Sequence, residues 1–432
     1  MARHLQVRLL GERAGRLTQT DSGRLAFEYE PSYIEDGGAA LSLSLPLGPQ
    51  RFGHREAEPF FGGLLPEEGA RERIARYLGV SVRNDFALLA EIGGECAGAV
   101  ELFPEEHPGE PQRRASHAGG RAPKVLSDDE LFELLEELPR RPLLAGGEAR
   151  LSLAGAQDKV AVLCLDGAIA LPRGGEPTTH ILKTPIRGYP ETVANERFCM
   201  ALASRVGLAV APAQARSCQG SEYLLVERYD RRIDPVTGAV ERIHQEDFCQ
   251  ALCVPTRMKY QSEGGPALKD LFALLTSHSS RPAVDRLALL RATLFNILIG
   301  NADAHGKNFS LLHGLTREPG IRPSVRLAPL YDLLCTLVYP DLSPRYAMKI
   351  GSKAEFKDIR DRHWDAFAES AGLGPPQVRR ELRSMAERID ASLDASHGAA
   401  LDVERASSKP SGIIDRIAEA ARERCARVLT TR

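Results

Sequence analysis

The chain has 432 residues, enough for two or three domains that each bury a core. A hydrophobic share of 43% and a charged share of 26% are those of an ordinary soluble globular protein. A formal net charge of -2 makes no overall electrostatic case for nucleic acid, a local basic patch apart. The opening Met-Ala-Arg-His-Leu-Gln-Val-Arg-Leu-Leu lacks an apolar core of signal-peptide length, and no apolar run approaches the roughly 18 residues needed to cross a membrane. Eight Cys are scattered with no Cys-x-x-Cys pair. Cys249 and Cys253, four apart, are expected one above the other on a helix as buried thiols, because zinc would need two more ligands. A cytoplasmic, reduced protein is expected.

Residues 1–103 alternate short strands with turns and predict a small α+β module. Every second residue of Leu41-Ser-Leu-Ser-Leu-Pro-Leu47 is apolar, the pattern of a half-buried strand. Gly62-Gly-Leu-Leu-Pro66-Glu67-Glu68 opens a helix, with acids near the positive end of its dipole. Asn84-Asp85 is placed to cap a helix ahead of Phe86. Gly93, Gly94 and Gly98 then punctuate a return to strand over 99–103. Nothing in this module is catalytic in type. Residues 104–126 are rich in Pro, Gly, Arg and Glu with almost no large apolar side chains, so they predict a flexible linker. Ser127-Asp-Asp-Glu130 is a capping box with Ser127 at the N-cap and Glu130 three residues on.

Over 127–235 the order of elements becomes informative. Leu151-Ser152-Leu-Ala-Gly155-Ala-Gln157-Asp-Lys159 runs into the strand Val160-Ala-Val-Leu-Cys-Leu165. A turn of small residues ahead of a strand can lay backbone N–H groups against phosphate oxygens; with one Gly, a plain hairpin explains it equally. The next strand, Thr179-His-Ile-Leu-Lys183, ends in a Lys flanked by apolar residues. Glu191-Thr-Val-Ala-Asn195-Glu196 starts a helix, and Glu196 is either the partner of Lys183 or a solvated helical charge. Tyr223-Leu-Leu-Val226-Glu227-Arg228-Tyr229-Asp230 is a strand ending in charge, suited to a hinge whose backbone holds an adenine ring.

From 236 to 432 the chain turns helical: Gln245–Leu252, Leu268–Leu275, then Asp285 to Gly300, with a polar, glycine-containing loop over 259–266. Trp364 with Phe367, and Ile413, Ile414 and Ile417, show helical spacing around a core. The apolar run Leu294-Phe-Asn-Ile-Leu-Ile299 delivers the chain to Gly300-Asn-Ala-Asp303-Ala-His305-Gly-Lys307-Asn308-Phe-Ser310, followed by Leu327-Ala-Pro-Leu-Tyr331-Asp332. An Asp and an Asn with four residues between them have the spacing of a protein-kinase catalytic loop. There the Asp accepts the substrate hydroxyl proton and the Asn holds magnesium. Asp332, after a short apolar stretch, stands where a second metal-binding Asp would. The spacing alone is common; two carboxylates and an amide, each beside a buried apolar run, are more specific.

In this order, Ser-Leu-Ser-Leu-Pro-Leu, Leu-Leu-Pro-Glu, Ser-Leu-Ala-Gly-Ala-Gln-x-Lys, His-Ile-Leu-Lys, Val-Glu-Arg-Tyr-Asp-Arg, His-Gln-Glu-Asp-Phe, Gly-Asn-x-Asp-x-His-x-Lys-Asn-Phe-Ser and Ala-Pro-x-Tyr-Asp-Leu resemble the HipA family of bacterial toxin serine/threonine kinases, nearly end to end. The resemblance implies an α+β, two-lobed protein-kinase-like fold with a small N-terminal module and a mainly helical C-terminal lobe, using ATP and Mg2+. It implies that Lys183 binds phosphate, Asp303 is the catalytic base, and Asn308 and Asp332 hold magnesium. The ATP site would further comprise Ser152, Ala154, Gly155, Ala156, Gln157 and Lys159 of the phosphate loop. Glu227, Arg228 and Tyr229 would lie at the adenine, with His305 and Lys307 in the catalytic loop. Ser152 is where the family phosphorylates itself and so inactivates itself. The implied partner is a HipB-like helix-turn-helix antitoxin, which would bring operator DNA. The implied substrate is an aminoacyl-tRNA synthetase, the glutamyl enzyme in the best-described case, whose phosphorylation blocks translation and induces dormancy. The catalytic loop reads Gly-Asn-Ala-Asp where ordinary protein kinases have His-Arg-Asp, and the metal Asp follows Tyr instead of opening Asp-Phe-Gly. The alternatives are a same-fold kinase with another substrate and a catalytically silent co-repressor.

Overall fold

The computed structural model describes residues 3–105, 122–139, 157–173, 175–314, 323–404 and 412–430. The chain forms two compact units. One comprises Met1–Thr184, Glu227–Arg257 and Leu312–Ser324, and the other Pro185–Val226, Met258–Leu311 and Val325–Arg432.

The first unit begins with a four-stranded antiparallel sheet in the order Leu25–Tyr29, Glu12–Gln19, Arg3–Leu9, Val100–Pro104. Along Arg3–Leu9, Leu5, Val7 and Leu9 are buried, the period-two pattern of a sheet with one face on a core. Phe27 of the sheet meets Phe61 of the helix His54–Gly63 at 5.4 Å between ring centroids. Asn84 accepts the Ala87 amide at 3.1 Å and so starts the helix Asp85–Ile92 as expected. Ser127 and Glu130 close the expected capping box at the head of Asp128–Glu137. Beyond it, strands Lys124–Val125, Ala168–Leu171, Lys159–Leu165 and His180–Lys183 lie antiparallel in that order.

Two expectations for this unit need correction. Leu41–Leu47 is not a strand: a single bridge joins Ser42 to Leu45 around a turn. The reason is polar. Glu246 accepts the Ser42 hydroxyl and, at 3.0 Å, the Leu43 amide, and Ser44 donates to the Gln250 carbonyl at 2.8 Å. Hydrogen bonds that a sheet would have satisfied are thus met by side chains and carbonyls far along the chain. Residues 245–252 are likewise not one helix. His244–Asp247 is a strand, and Asp247 accepts the Gln250 amide at 2.9 Å, capping a helix of only four residues, Phe248–Ala251. That helix ends before Cys253, whose φ of +57° turns the chain away, so Cys249 and Cys253 do not stack on one helix.

The second unit holds the helices Thr192–Arg205, Leu268–His278, Pro282–Ile299, Asp361–Ser370, Pro375–Glu404 and Gly412–Thr430. Phe272 and Phe367 meet at 5.9 Å, with Trp364 beside Phe367 at 6.4 Å. Ile413, Ile414 and Ile417 are buried as their spacing predicts. Pro282 opens the helix Pro282–Ile299 at its first turn, where a missing N–H costs nothing. No helix among the described residues is long and apolar enough to cross a membrane.

Candidate active site

The buried helix Pro282–Ile299 stops at Gly300, whose φ of +80° favours glycine. Arg424 donates to the closing carbonyls of Leu298 at 2.7 Å and Ile299 at 2.9 Å. The loop that follows is pinned step by step. Asn301 donates to Asn296 Oδ1 at 2.9 Å and accepts the Asp303 amide at 3.2 Å. The Ala302 amide donates to Thr336 Oγ1 at 2.8 Å. Gly306–Asn308 is a short 3-10 turn, its Asn308 amide bound to the His305 carbonyl at 3.0 Å.

Two tyrosines fasten the oxygen donors. The Tyr331 hydroxyl donates to the Lys307 carbonyl at 2.7 Å and accepts from Ser310 Oγ at 2.7 Å. Asp332, the next residue, is therefore tied to the turn that carries Asn308. Its backbone sits at φ +57°, a left-handed conformation that costs of order 1 kcal/mol or more and persists only where the surroundings dictate it. Tyr260 donates to Asp303 Oδ1 at 2.7 Å. Asp303, Asn308 and Asp332 are all half-buried, while His305 and Lys307 are buried. Among the described residues no group of three or more His, Cys, Asp or Glu forms a metal cage. An Asp and an Asn in clamped loops are hard oxygen donors of the kind magnesium takes when phosphate and water supply its other ligands, so these residues fit that ion.

The remaining candidates, Glu196 apart, lie in the first unit. Lys183 ends the strand His180–Lys183 and is 5% exposed, opposite Lys159 in the sheet register. Gln157 donates to the Thr184 carbonyl at 2.8 Å, which brings the end of the expected phosphate loop to the Lys strand. Ser152, Ala154, Gly155 and Ala156 lie outside the described residues. Glu196, in the second unit, is 3% exposed, which excludes a solvated helical charge. Glu227 is exposed, and Tyr229 is half-buried with its hydroxyl on Gln245.

Arg228 has another occupation. Its guanidinium donates to Glu95 at 3.1 Å, Thr178 Oγ1 at 2.9 Å, the Cys96 carbonyl at 2.9 Å and both oxygens of Asp230. Arg231 and Arg242 also pair with Glu95, at 2.8 and 2.7 Å. Burial pushes the Glu95 carboxyl up, but Arg231, Arg228 and Arg242 more than offset it and hold it at about 2. Burial raises the Asp230 carboxyl too, and Arg228 and Arg231 bring it well below its ordinary range. The Gly98 amide donates to Asp230 at 2.7 Å, and a Cβ on Gly98 would meet the Gln245 amide nitrogen at 2.8 Å. The Arg228 side chain is committed to this network, and its backbone is bonded as well: its amide donates to the Thr179 carbonyl at 2.9 Å and its carbonyl accepts the Arg231 amide at 3.2 Å.

No sequence motif marks Tyr260 or Glu95. The signal nearest Tyr260 is the pair Gly264-Gly265 in the polar loop 259–266; a Cβ on Gly265 would stand 2.0 Å from the Met258 carbonyl oxygen.

Residues 5–103 match the family described as HipA N-terminal domain, and residues 151–393 match that described as HipA-like C-terminal domain. The chain belongs to the HipA family. This HipA-family chain is 49% identical over 387 residues to "Putative kinase Y4mE" of Sinorhizobium fredii, covering 89% of each chain. It is 30% identical over 390 residues to the serine/threonine-protein kinase toxin HipA of Shewanella oneidensis, covering 85% of each. A solved complex of Shewanella oneidensis HipA, HipB and operator DNA matches with a TM-score of 0.81 at 27% identity, covering 98% of this chain and 97% of that one. The fold is the α+β kinase-like fold of HipA.

Proposed function

We propose that this HipA-family chain is an ATP-dependent serine/threonine protein kinase and the toxin of a toxin–antitoxin module. The observation that carries the reading is the fastened loop pair. Asp303 is held by Tyr260, and Asn308 and Asp332 are tied together through Tyr331. A base and two hard oxygen donors held this way suit phosphoryl transfer, which is mainly positioning and charge stabilisation. The substrate hydroxyl oxygen attacks the γ-phosphorus, its proton passes to Asp303, and the bond to the β,γ-bridging oxygen breaks to release ADP. Lys183 and the loop ending at Gln157 and Lys159 bind the phosphates. The stretch from Glu227 to Tyr229 lies at the adenine. His305 and Lys307 shape the loop around Asn308. Magnesium, held by Asn308 and Asp332, would neutralise charge between the β- and γ-phosphates.

The domains follow the same reading: an N-terminal module over 1–103, a linker over 104–126, a nucleotide-binding region over 127–235 and a catalytic helical region over 236–432. The partner is a HipB-like helix-turn-helix antitoxin that engages operator DNA. The substrate is a cytoplasmic aminoacyl-tRNA synthetase, the glutamyl enzyme by resemblance, and Ser152 is the residue that the kinase phosphorylates on itself. Labelled ATP tests the reading. The wild-type protein should transfer phosphate to itself and to glutamyl-tRNA synthetase. No transfer to either, with ATP bound or not, would favour a silent co-repressor.

A further inference from the structure

The loop over 258–265 does more than connect two helices. Gln261 and Ala302 grip the same residue: the Gln261 amide donates to the Ala347 carbonyl at 3.2 Å, and the Ala347 amide donates to the Ala302 carbonyl at 2.8 Å. The Lys349 amide adds a bond to Gln261 Oε1 at 2.8 Å. The neighbours of Tyr260 and of Asp303 are thus fixed to one strut. The loop closes on itself through the Glu263 and Gly265 amides, which donate to the Tyr260 carbonyl at 3.0 and 2.9 Å. Gly264 sits at φ +93°, and Gly265 has no room for a side chain. Such a turn holds the Tyr260 side chain in one direction.

The Tyr260 ring has two close neighbours. The His305 ring stands edge-on to it at 5.2 Å with an interplanar angle of 83°, and the Lys259 ammonium lies 5.3 Å from its centroid. At the end of this ring, the hydroxyl meets Asp303 Oδ1 at 2.7 Å, a charge-assisted hydrogen bond.

We infer that Tyr260 is a positioning residue for Asp303, setting the plane of its carboxylate so that Oδ2 faces the substrate hydroxyl. The inference rests on the reading of Asp303 as the base. Holding Oδ1 removes rotation about the Cβ–Cγ bond, a freedom that a general base loses rate by keeping. A donor to the ionised carboxylate also favours its charged, proton-accepting form.

Tyr260→Phe tests it, because the ring and its packing on His305 stay while the donor goes. Phosphate transfer from γ-labelled ATP is read on the protein itself and on glutamyl-tRNA synthetase. Affinity for a non-hydrolysable ATP analogue with magnesium is read by calorimetry. The inference expects kcat to fall on the order of tenfold to a hundredfold, the worth of one hydrogen bond to a charged group. KM for ATP and analogue affinity should hold, and the acid limb of the rate–pH profile should move to higher pH. If Asp303→Asn is inactive while Tyr260→Phe matches wild type in kcat and pH profile, the inference alone is wrong. Parallel loss of analogue binding and rate in Tyr260→Phe would make the tyrosine structural and also overturn it. Full activity of Asp303→Asn, or no transfer by wild type, would remove the proposed function and the inference together.

Discussion

The hydroxyl of Tyr331 reaches the carbonyl of Lys307 at 2.7 Å, so that Asp332 and Asn308, 24 residues apart, are held in one arrangement by the residue beside each. Tyr331→Phe removes that bond and the one from Ser310 without removing the ring. Magnesium-dependent binding of a non-hydrolysable ATP analogue should weaken by about tenfold, the net value of one to two hydrogen bonds. Calorimetry at several magnesium concentrations checks this. Unchanged affinity at low magnesium would show that the clamp does not set the metal site.

Asn308→Ala and Asp332→Ala should each weaken the same binding far more than His305→Ala. His305 is buried and packs on Tyr260, so its removal should appear mainly as a lower melting temperature. Equal losses of binding for all three would mean that the loop had collapsed rather than lost a ligand.

The buried network around Glu95 makes stability depend on pH with a definite sign. Its folded pKa of about 2 lies below the ordinary 4.5, so its contribution is complete above pH 4.5 and is lost as pH falls towards 2. The shift corresponds to on the order of 3 kcal/mol. Glu95→Gln leaves Arg228, Arg231 and Arg242 with less charge than they pair with now, so it should destabilise the protein by a few kcal/mol at pH 7. Urea unfolding at pH 7, 4 and 3 measures both effects. The gap between wild type and variant should narrow as pH falls, and a constant gap would show that ionised Glu95 is not its source.

A phosphate on Ser152 would add about -1.5 to -2 charges to the loop we assign to the ATP phosphates. Phosphorylated protein should bind ATP poorly, and Ser152→Ala should keep phosphorylating its target while losing the off-switch. Mass spectrometry of protein incubated with ATP, followed by affinity measurement of each form, decides it. Phosphate absent from Ser152, or present with affinity unchanged, contradicts the switch.

What could be read from sequence alone was local. The Asn84 cap and the Ser127–Glu130 box are each specified within a few residues and form as expected, and the helix expected from Asp285 to Gly300 forms but starts three residues earlier, at Pro282. The turn at Leu41–Leu47 is not legible because the Ser42 hydroxyl answers to Glu246, 204 residues away, and the Ser44 hydroxyl to the Gln250 carbonyl, while its leucines mimic a strand. The strand at His244–Asp247 was hidden for the same reason, since Glu246 is turned to that turn and to His313 at 2.9 Å. At the site, the Asp303–Asn308 spacing and the apolar run before it carry their own signal. Tyr260 carries none, because its partner Asp303 lies 43 residues on and the link runs through the strut at Ala347. The Arg228 side chain belongs to an ion network with Glu95, 133 residues earlier, which no local pattern shows.

The central claim is that Asp303 is the base of a phosphoryl transfer. Asp303→Asn tests it most directly, because the amide oxygen can still accept from Tyr260 while proton acceptance is lost. Initial rates of phosphate transfer from γ-labelled ATP, beside a thermal melt of the same sample, are the measurement. The account predicts a rate lower by about 10² to 10⁴ and a melting temperature within a few degrees of wild type. Transfer near the wild-type rate by a folded Asp303→Asn protein would contradict it.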